Sequence, residues 1–235
     1  MGRGVGKALE SALKDEGELE TKKGAGKHIF LNPHRRDIFS TLTLTPCIGI
    51  GQLAEKTGIV QNTVEWHLVV LIKERYVSEY REGRKKTYFP QGLLTQEGAE
   101  FFFVLNHPKF SDVLFKVIEG EGLSQSEISK TSGVSRQTVA GTLARLEEIG
   151  LVTRVSDGAN TRYFATTLLP EKAEDFYQHS REYSEFIINK LAQEGGKNPE
   201  LVKRGLDRIF IELGFRSKGF TIEVGINPYL TCISC

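Results

Sequence analysis

The hydrophobic positions between residues 33 and 103 change period along the chain, and each change marks an element. Pro33 stands where a helix start tolerates a residue without an N–H, and Ile38, Phe39 and Leu42 follow at helical spacing, which predicts a helix over 35–42. Leu53 and Ala54 give the inward side of a short helix over 51–57, and Gly58 supplies the left-handed residue that closes it. A third helix is predicted over 62–74 from Val64, Leu68, Leu71 and Ile72, leaving Asn62, Thr63, Glu65, Trp66 and His67 near its start. The period then falls to two. Residues 76–80 and 86–89 read as strands, with 81–85 as their turn.

The same order returns 75 residues later without a gap. Pro33 pairs with Pro108, Asp37 with Asp112, Gly58 with Gly133 and Thr63-Val64 with Thr138-Val139; Leu68 pairs with Leu143, Leu71 with Leu146, Gly83 with Gly158 and Tyr88-Phe89 with Tyr163-Phe164. One unit therefore occurs twice, at about 33–103 and 108–178. In the second copy Val113, Leu114, Val117 and Ile118 mark the first helix, and Ser124-Gln125-Ser126-Glu127 forms a capping box that opens the short one. Ser135 caps a third helix with Val139, Leu143, Leu146 and Ile149 inward, and 151–155 and 162–165 are strands around Asp157-Gly158. Two copies are too few for a solenoid, so each is expected to be a small domain.

Helix, short helix, tight turn, longer helix and hairpin is the order of a winged helix-turn-helix. Gln52-Leu53-Ala54-Glu55-Lys56-Thr57-Gly58, continued through Leu68, and Glu127-Ile128-Ser129-Lys130-Thr131-Ser132-Gly133, continued through Val139, resemble archaeal and ArsR- or MarR-like transcription regulators. The resemblance covers about 33–165. It implies a mostly α fold with small β-hairpin wings, in winged-helix domains over 28–104 and 105–170; composition and periodicity add a helix and linker over 1–27 and a C-terminal α+β segment over 171–235. It also implies a third helix in the DNA major groove and a wing on a neighbouring groove or the backbone.

The side chains at those positions suit such a partner. Gln61, Asn62, Thr63, Trp66 and His67 in the first copy, and Ser135, Arg136, Gln137, Thr138 and Thr142 in the second, surround the starts of the third helices. Arg and Gln are the side chains best able to bond guanine and adenine edges in bidentate fashion. Phosphate contacts are expected from Arg81, Arg84, Lys85 and Lys86 in the first wing, and from Arg154, Asn160 and Arg162 in the second. Residues 33–90 hold nine basic and six acidic side chains, whereas 108–165 hold seven of each, so the first wing carries the basic excess. Double-stranded DNA is the expected partner. A protein-interaction scaffold of the transcription or chromosome machinery remains the alternative, because winged helices also bind proteins.

Net charge changes the picture little: 31 Lys and Arg against 30 Asp and Glu leave +1, so any affinity for nucleic acid rests on local patches. The longest apolar runs, 68–72 and 101–105, fall far short of a bilayer span, and the start of the chain carries no apolar leader region, which together predict a soluble, cytoplasmic protein. No catalytic constellation stands out. Lys22-Lys23-Gly24-Ala25-Gly26-Lys27-His28 departs from a phosphate loop at both Thr21 and His28, and no cofactor is expected. Cys232 and Cys235 have the spacing of half a metal site or of a disulfide, but also fit two ordinary cysteines in a terminal strand. Beyond the units, 172–192 and 199–213 read as amphipathic helices, the second from Val202, Leu206, Ile209, Phe210 and Leu213, and 220–226 as a half-buried strand. So much apolar surface predicts a homodimer joined through the C-terminal region.

Overall fold

The computed structural model of the protein describes residues 28–158, 160–194, 199–215 and 218–233. The helix and linker expected over 1–27, and Cys235, lie outside them. After a 3-10 turn at Ile29–Leu31, the first unit consists of α1 (Pro33–Leu44), α2 (Ile50–Thr57), α3 (Gln61–Lys73), β1 (Val77–Glu82) and β2 (Lys85–Pro90). A connecting helix α4 (Gln96–Leu105) leads to the second, with α5 (Pro108–Glu119), β3 (Leu123–Ser124), α6 (Gln125–Ser132), α7 (Arg136–Glu148), β4 (Val152–Asp157) and β5 (Asn160–Ala165).

The 75-residue offset holds for every bound of α1, α2, α3, β1 and β2 against α5, α6, α7, β4 and β5. It extends to single hydrogen bonds. Tyr76 N–H donates to Leu71 C=O as Leu151 N–H does to Leu146 C=O, and Gln91 N–H donates to Tyr76 C=O as Thr166 N–H does to Leu151 C=O. Gly58 (φ 69°) and Gly133 (φ 70°) end the short helices in the left-handed conformation that any other residue enters only with strain. The strands pair antiparallel, β1 with β2 and β3–β5–β4 in a second sheet, and an isolated bridge Ile48–Tyr88 occupies the place that Leu123–Tyr163 holds in the second unit.

Three expectations about the remainder need correction. Residues 172–192 form two helices, α8 (Leu168–Asp175) and α9 (Tyr177–Gln193), broken at Phe176. Residues 199–213 are not a helix but the strands β6 (Glu200–Arg204) and the start of β7 (Arg208–Phe215), which join β8 (Lys218–Gly225) in a third antiparallel sheet. Ile209, Ile211 and Leu213 are buried at period two, while Val202 and Leu206 of the supposed helical face are exposed. The fold is therefore mixed α and β. Cys232 lies in a short helix, α10 (Pro228–Ile233), and not in a terminal strand.

Part of the apolar surface behind the expected C-terminal dimer is turned into the chain, while Tyr177, Phe186, Leu201, Val202 and Leu206 stay exposed. Tyr183, Ile187 and Leu191 of α9, and Ile222 and Val224 of β8, are buried. The third sheet lies on α1: Ser40 Oγ donates to Glu223 C=O (2.6 Å), and Gly225 N–H donates to Thr43 Oγ1 (2.8 Å). The approach at Gly225 is so close that a Cβ there would stand 2.4 Å from Thr43 O. On α9, Lys190 Nζ donates to Glu74 C=O (2.9 Å) and lies over the Tyr76 ring. The buried side chains form one continuous cluster from Ile29 to Tyr229, and α4, buried without interruption over 101–105, joins its parts. Phe103 meets Tyr80 of the first unit, and Glu100 pairs with Arg145 of the second.

Candidate nucleic-acid interface

The starts of α3 and α7 are exposed for a local reason: each follows a two-residue link after the left-handed glycine, and the apolar stripe begins only at Val64 and Val139. On α3, Gln61 and Asn62 are exposed and Thr63 is half-buried. The cap residue Val60 brings no side-chain hydrogen bond and is 72% exposed. Farther along that face stand Glu65 and Val69, both exposed, and Trp66, half-buried with its ring 4.8 Å from that of His67. On α7, Ser135 Oγ accepts from Thr138 N–H (3.2 Å), which closes the helix start. Arg136 and Gln137 are exposed, and Arg136 Nη2 donates to Ser126 Oγ (2.8 Å) while Gln125 Nε2 donates to Arg136 C=O (2.9 Å). The outer face continues as Ala140, Gly141 and Ala144.

Two of the sequence candidates are not at a surface. His67 is fully buried between α1 and α3, and Thr142 is 5% exposed on the core side of α7, so neither reaches a ligand. They occupy the same position of the two units. Burial, then the charge of Arg35 and the neighbouring His34, lower the His67 pKa to about 4, which leaves the ring neutral at pH 7. Both of its nitrogens are buried without a hydrogen-bond partner among the described residues. Position 67 stands beside the core positions 64, 68 and 71, but a polar side chain there gave no sign that packing would turn it inward.

The hairpins differ in how much of their charge is already answered. In the second, Arg154 pairs with Glu147 (3.1 Å), and Arg162 pairs with Asp157 (2.8 Å) while donating to Gly122 C=O; Asn160 is exposed at the turn. In the first, Glu79 pairs with both Arg81 and Lys86, Lys85 Nζ donates to His107 Nε2 (2.6 Å), and Arg84 makes no ion pair among the described residues. Burial and the nearby Lys85 and Lys109 lower the His107 pKa, consistent with its accepting from an ammonium. Exposed pairs of this kind are worth about 0–1 kcal/mol and yield readily to a phosphate. Ser126 and Gln125, which steady Arg136, were visible in the sequence only as members of a capping box.

Among the described residues no group of three or more His, Cys, Asp or Glu is placed to hold a metal ion, and no helix is long and apolar enough to cross a membrane.

Residues 111–162, which run from α5 into β5, match the model of the MarR family. Over 136 residues the chain is 22% identical to an uncharacterized HTH-type transcriptional regulator of Methanocaldococcus jannaschii, covering 58% of this chain and 34% of that one. The chain thus spans about a third of the length of that relative. Among solved structures, ScpB from Mycobacterium tuberculosis is similar at 16% identity, with 59% of this chain and 93% of that chain covered and a TM-score of 0.26. The PcaV transcriptional regulator from Streptomyces coelicolor, in complex with its natural ligand, is similar at 18% identity, with 51% and 66% covered and a TM-score of 0.24. Likeness at that level carries no functional argument.

Proposed function

We propose that the protein is a sequence-specific, double-stranded DNA-binding transcriptional regulator that uses two winged-helix modules in tandem, acting in the cytoplasm. One observation carries the reading: at two places 75 residues apart, a helix start exposes hydrogen-bonding side chains and is followed in the chain by an exposed hairpin with basic residues. The match of 111–162 to the MarR family and the printed name of the archaeal relative point the same way.

In this reading Arg136 and Gln137, with Ser135 and Thr138 beside them, supply base-edge contacts from α7, and the low relief of Ala140, Gly141 and Ala144 lets the helix seat deeply in a major groove. Gln61, Asn62 and Thr63 serve α3, with Trp66 available to a thymine methyl. Arg81, Arg84, Lys85 and Lys86 hold phosphates and set position, Arg84 and Lys85 most directly because neither has a carboxylate partner among the described residues; Arg81 and Lys86 share Glu79, while Arg154 and Arg162, beside Asn160, each have a carboxylate of their own to leave. The test is a titration of a labelled duplex at rising salt. Binding that falls linearly in a plot of log affinity against log salt is expected. Absence of any duplex binding at low salt would sink the reading and favour a protein-binding scaffold.

A further inference from the structure

The repeat exposes a face that has a cover in one unit and, among the described residues, none in the other. Ser40 and Thr43 of α1 lie under the third sheet, bonded to the backbone of β8. Their register equivalents on α5 are Phe115 and Ile118, which are 51% and 53% exposed. The sequence pattern placed Ile118 inward, but α5 buries Val113, Leu114 and Val117 and turns Ile118 out. The third sheet is already seated on α1 and leaves α5 uncovered, and hydroxyls have been replaced there by an aromatic and a branched aliphatic side chain. Exposed apolar groups placed together in this way mark an interaction surface.

The charges around Phe115 indicate the partner. At about 100° per residue, Asp112, Phe115 and Glu119 lie along the middle of the outer face of α5. Lys109 and Lys116 lie along one flank of that face, and Ser111 and Ile118 along the other. The order along the helix is Lys109, Asp112, Lys116, Glu119, alternating in sign. A second α5 laid antiparallel about a two-fold axis at the height of residue 114 sets Lys109 against Glu119 and Asp112 against Lys116, twice over, in exchange for the Lys116–Glu119 pair (2.7 Å) that each helix makes within itself. The same axis stacks Phe115 on its own copy and lays Ile118 against Ser111. A parallel arrangement would set like charges side by side. A face that is complementary to itself in this way is what an isologous contact requires.

We propose that α5 is a self-association surface through which two copies of this chain pair antiparallel, Phe115 against Phe115, flanked by the Lys109–Glu119 and Asp112–Lys116 pairs. The proposal does not depend on DNA binding. It also concerns a different surface from the C-terminal region.

The experiment is sedimentation velocity of the full chain over a wide range of concentration, with circular dichroism to verify folding. The wild-type chain should show a reversible dimer. Replacing Phe115→Ser together with Ile118→Thr, the residues of the first unit, should weaken it by at least about tenfold with an unchanged spectrum, since both side chains are exposed. Lys116→Glu should weaken it too, and Asp112→Lys combined with Lys116→Asp should restore it. A wild-type chain that stays monomeric at every concentration overturns the proposal, as does a dimer that the Phe115 and Ile118 replacements leave intact. Monomers whose thermal midpoint drops on those replacements would mean that residues 1–27 of the same chain cover α5, which also overturns it.

Discussion

The two units share the bounds of three helices and two hairpin strands and differ in almost everything that surrounds those elements. The first is packed in: the third sheet covers α1, α9 reaches Glu74 and Tyr76, and the 3-10 turn at Ile29–Leu31 closes one side. The second meets α4 along one side and keeps most of its own surface. Their third helices differ in the same sense. The exposed face of α3 carries Glu65 and Val69 beside Trp66, where α7 has Ala140, Ala144 and Gly141. Even the residue after the helix differs: Arg75 holds a left-handed conformation (φ 59°), whereas Gly150 takes it (φ 78°) without the Cβ penalty. Local signals such as caps and turn glycines thus set where elements begin and end, and the neighbourhood sets what each copy is able to do. The first unit is the anchored one with the charged wing, and the second has the barer third helix.

The largest effect should come from the seam that anchors the first unit. Gly225→Ala drives a Cβ into the Thr43 carbonyl, a backbone atom that cannot step aside, and should cost about 3 kcal/mol of stability in urea unfolding. Among the described residues α5 carries no such seam. A native-like midpoint for this variant would show that the third sheet does not anchor α1.

The second effect separates the cores by pH. His67 is held neutral in the folded chain with its pKa lowered to about 4, while the unfolded chain takes up the proton near the ordinary imidazole value of 6.5. The unfolded state therefore binds more protons between those limits, and stability should fall as the pH is lowered through them, by on the order of 2 kcal/mol. Burial lowers the His28 pKa as well and adds to the same slope. His67→Thr, which installs the residue that the second unit has at this position, should flatten the dependence in unfolding curves measured from pH 7 to 4. An unchanged slope would mean that His67 is not the group titrating.

Much of this was legible in the residues. The 75-residue register, the helix ends at Gly58 and Gly133 and the Ser124 capping box depend on near neighbours in sequence, and a single chain displays them. Three things were not. Residues 199–213 satisfy two periods at once, and only the pairing of β7 with β8 decides in favour of strands. The inward turn of His67 and Thr142 follows from tertiary packing that places a polar residue beside a helix's apolar stripe. The pairing of Arg154 with Glu147 and of Arg162 with Asp157 removes charge that a count along the sequence treats as available.

Smaller effects sharpen the contrast at the surface. Lys85→Ala should lower affinity for all duplexes alike and reduce the salt slope by roughly 1, whereas Arg162→Ala should change the slope less because its charge is already answered. Equal slopes for the two variants would remove the distinction between the wings. Gly141→Ala, in open space on the outer face of α7, should stabilise the helix by about 1 kcal/mol in thermal unfolding. A destabilised variant would mean that the face is not bare.

The central claim is that this chain reads DNA sequence, with Arg136 as a principal reading residue. Selection from a pool of random duplexes, run in parallel on the full chain and on Arg136→Ala, tests it most directly. The full chain should enrich a defined motif, and the variant should lose preference at one base pair, by about 1–3 kcal/mol, while keeping the rest of the motif. A full chain that enriches nothing, or a variant whose motif matches that of the full chain at every position, would contradict it.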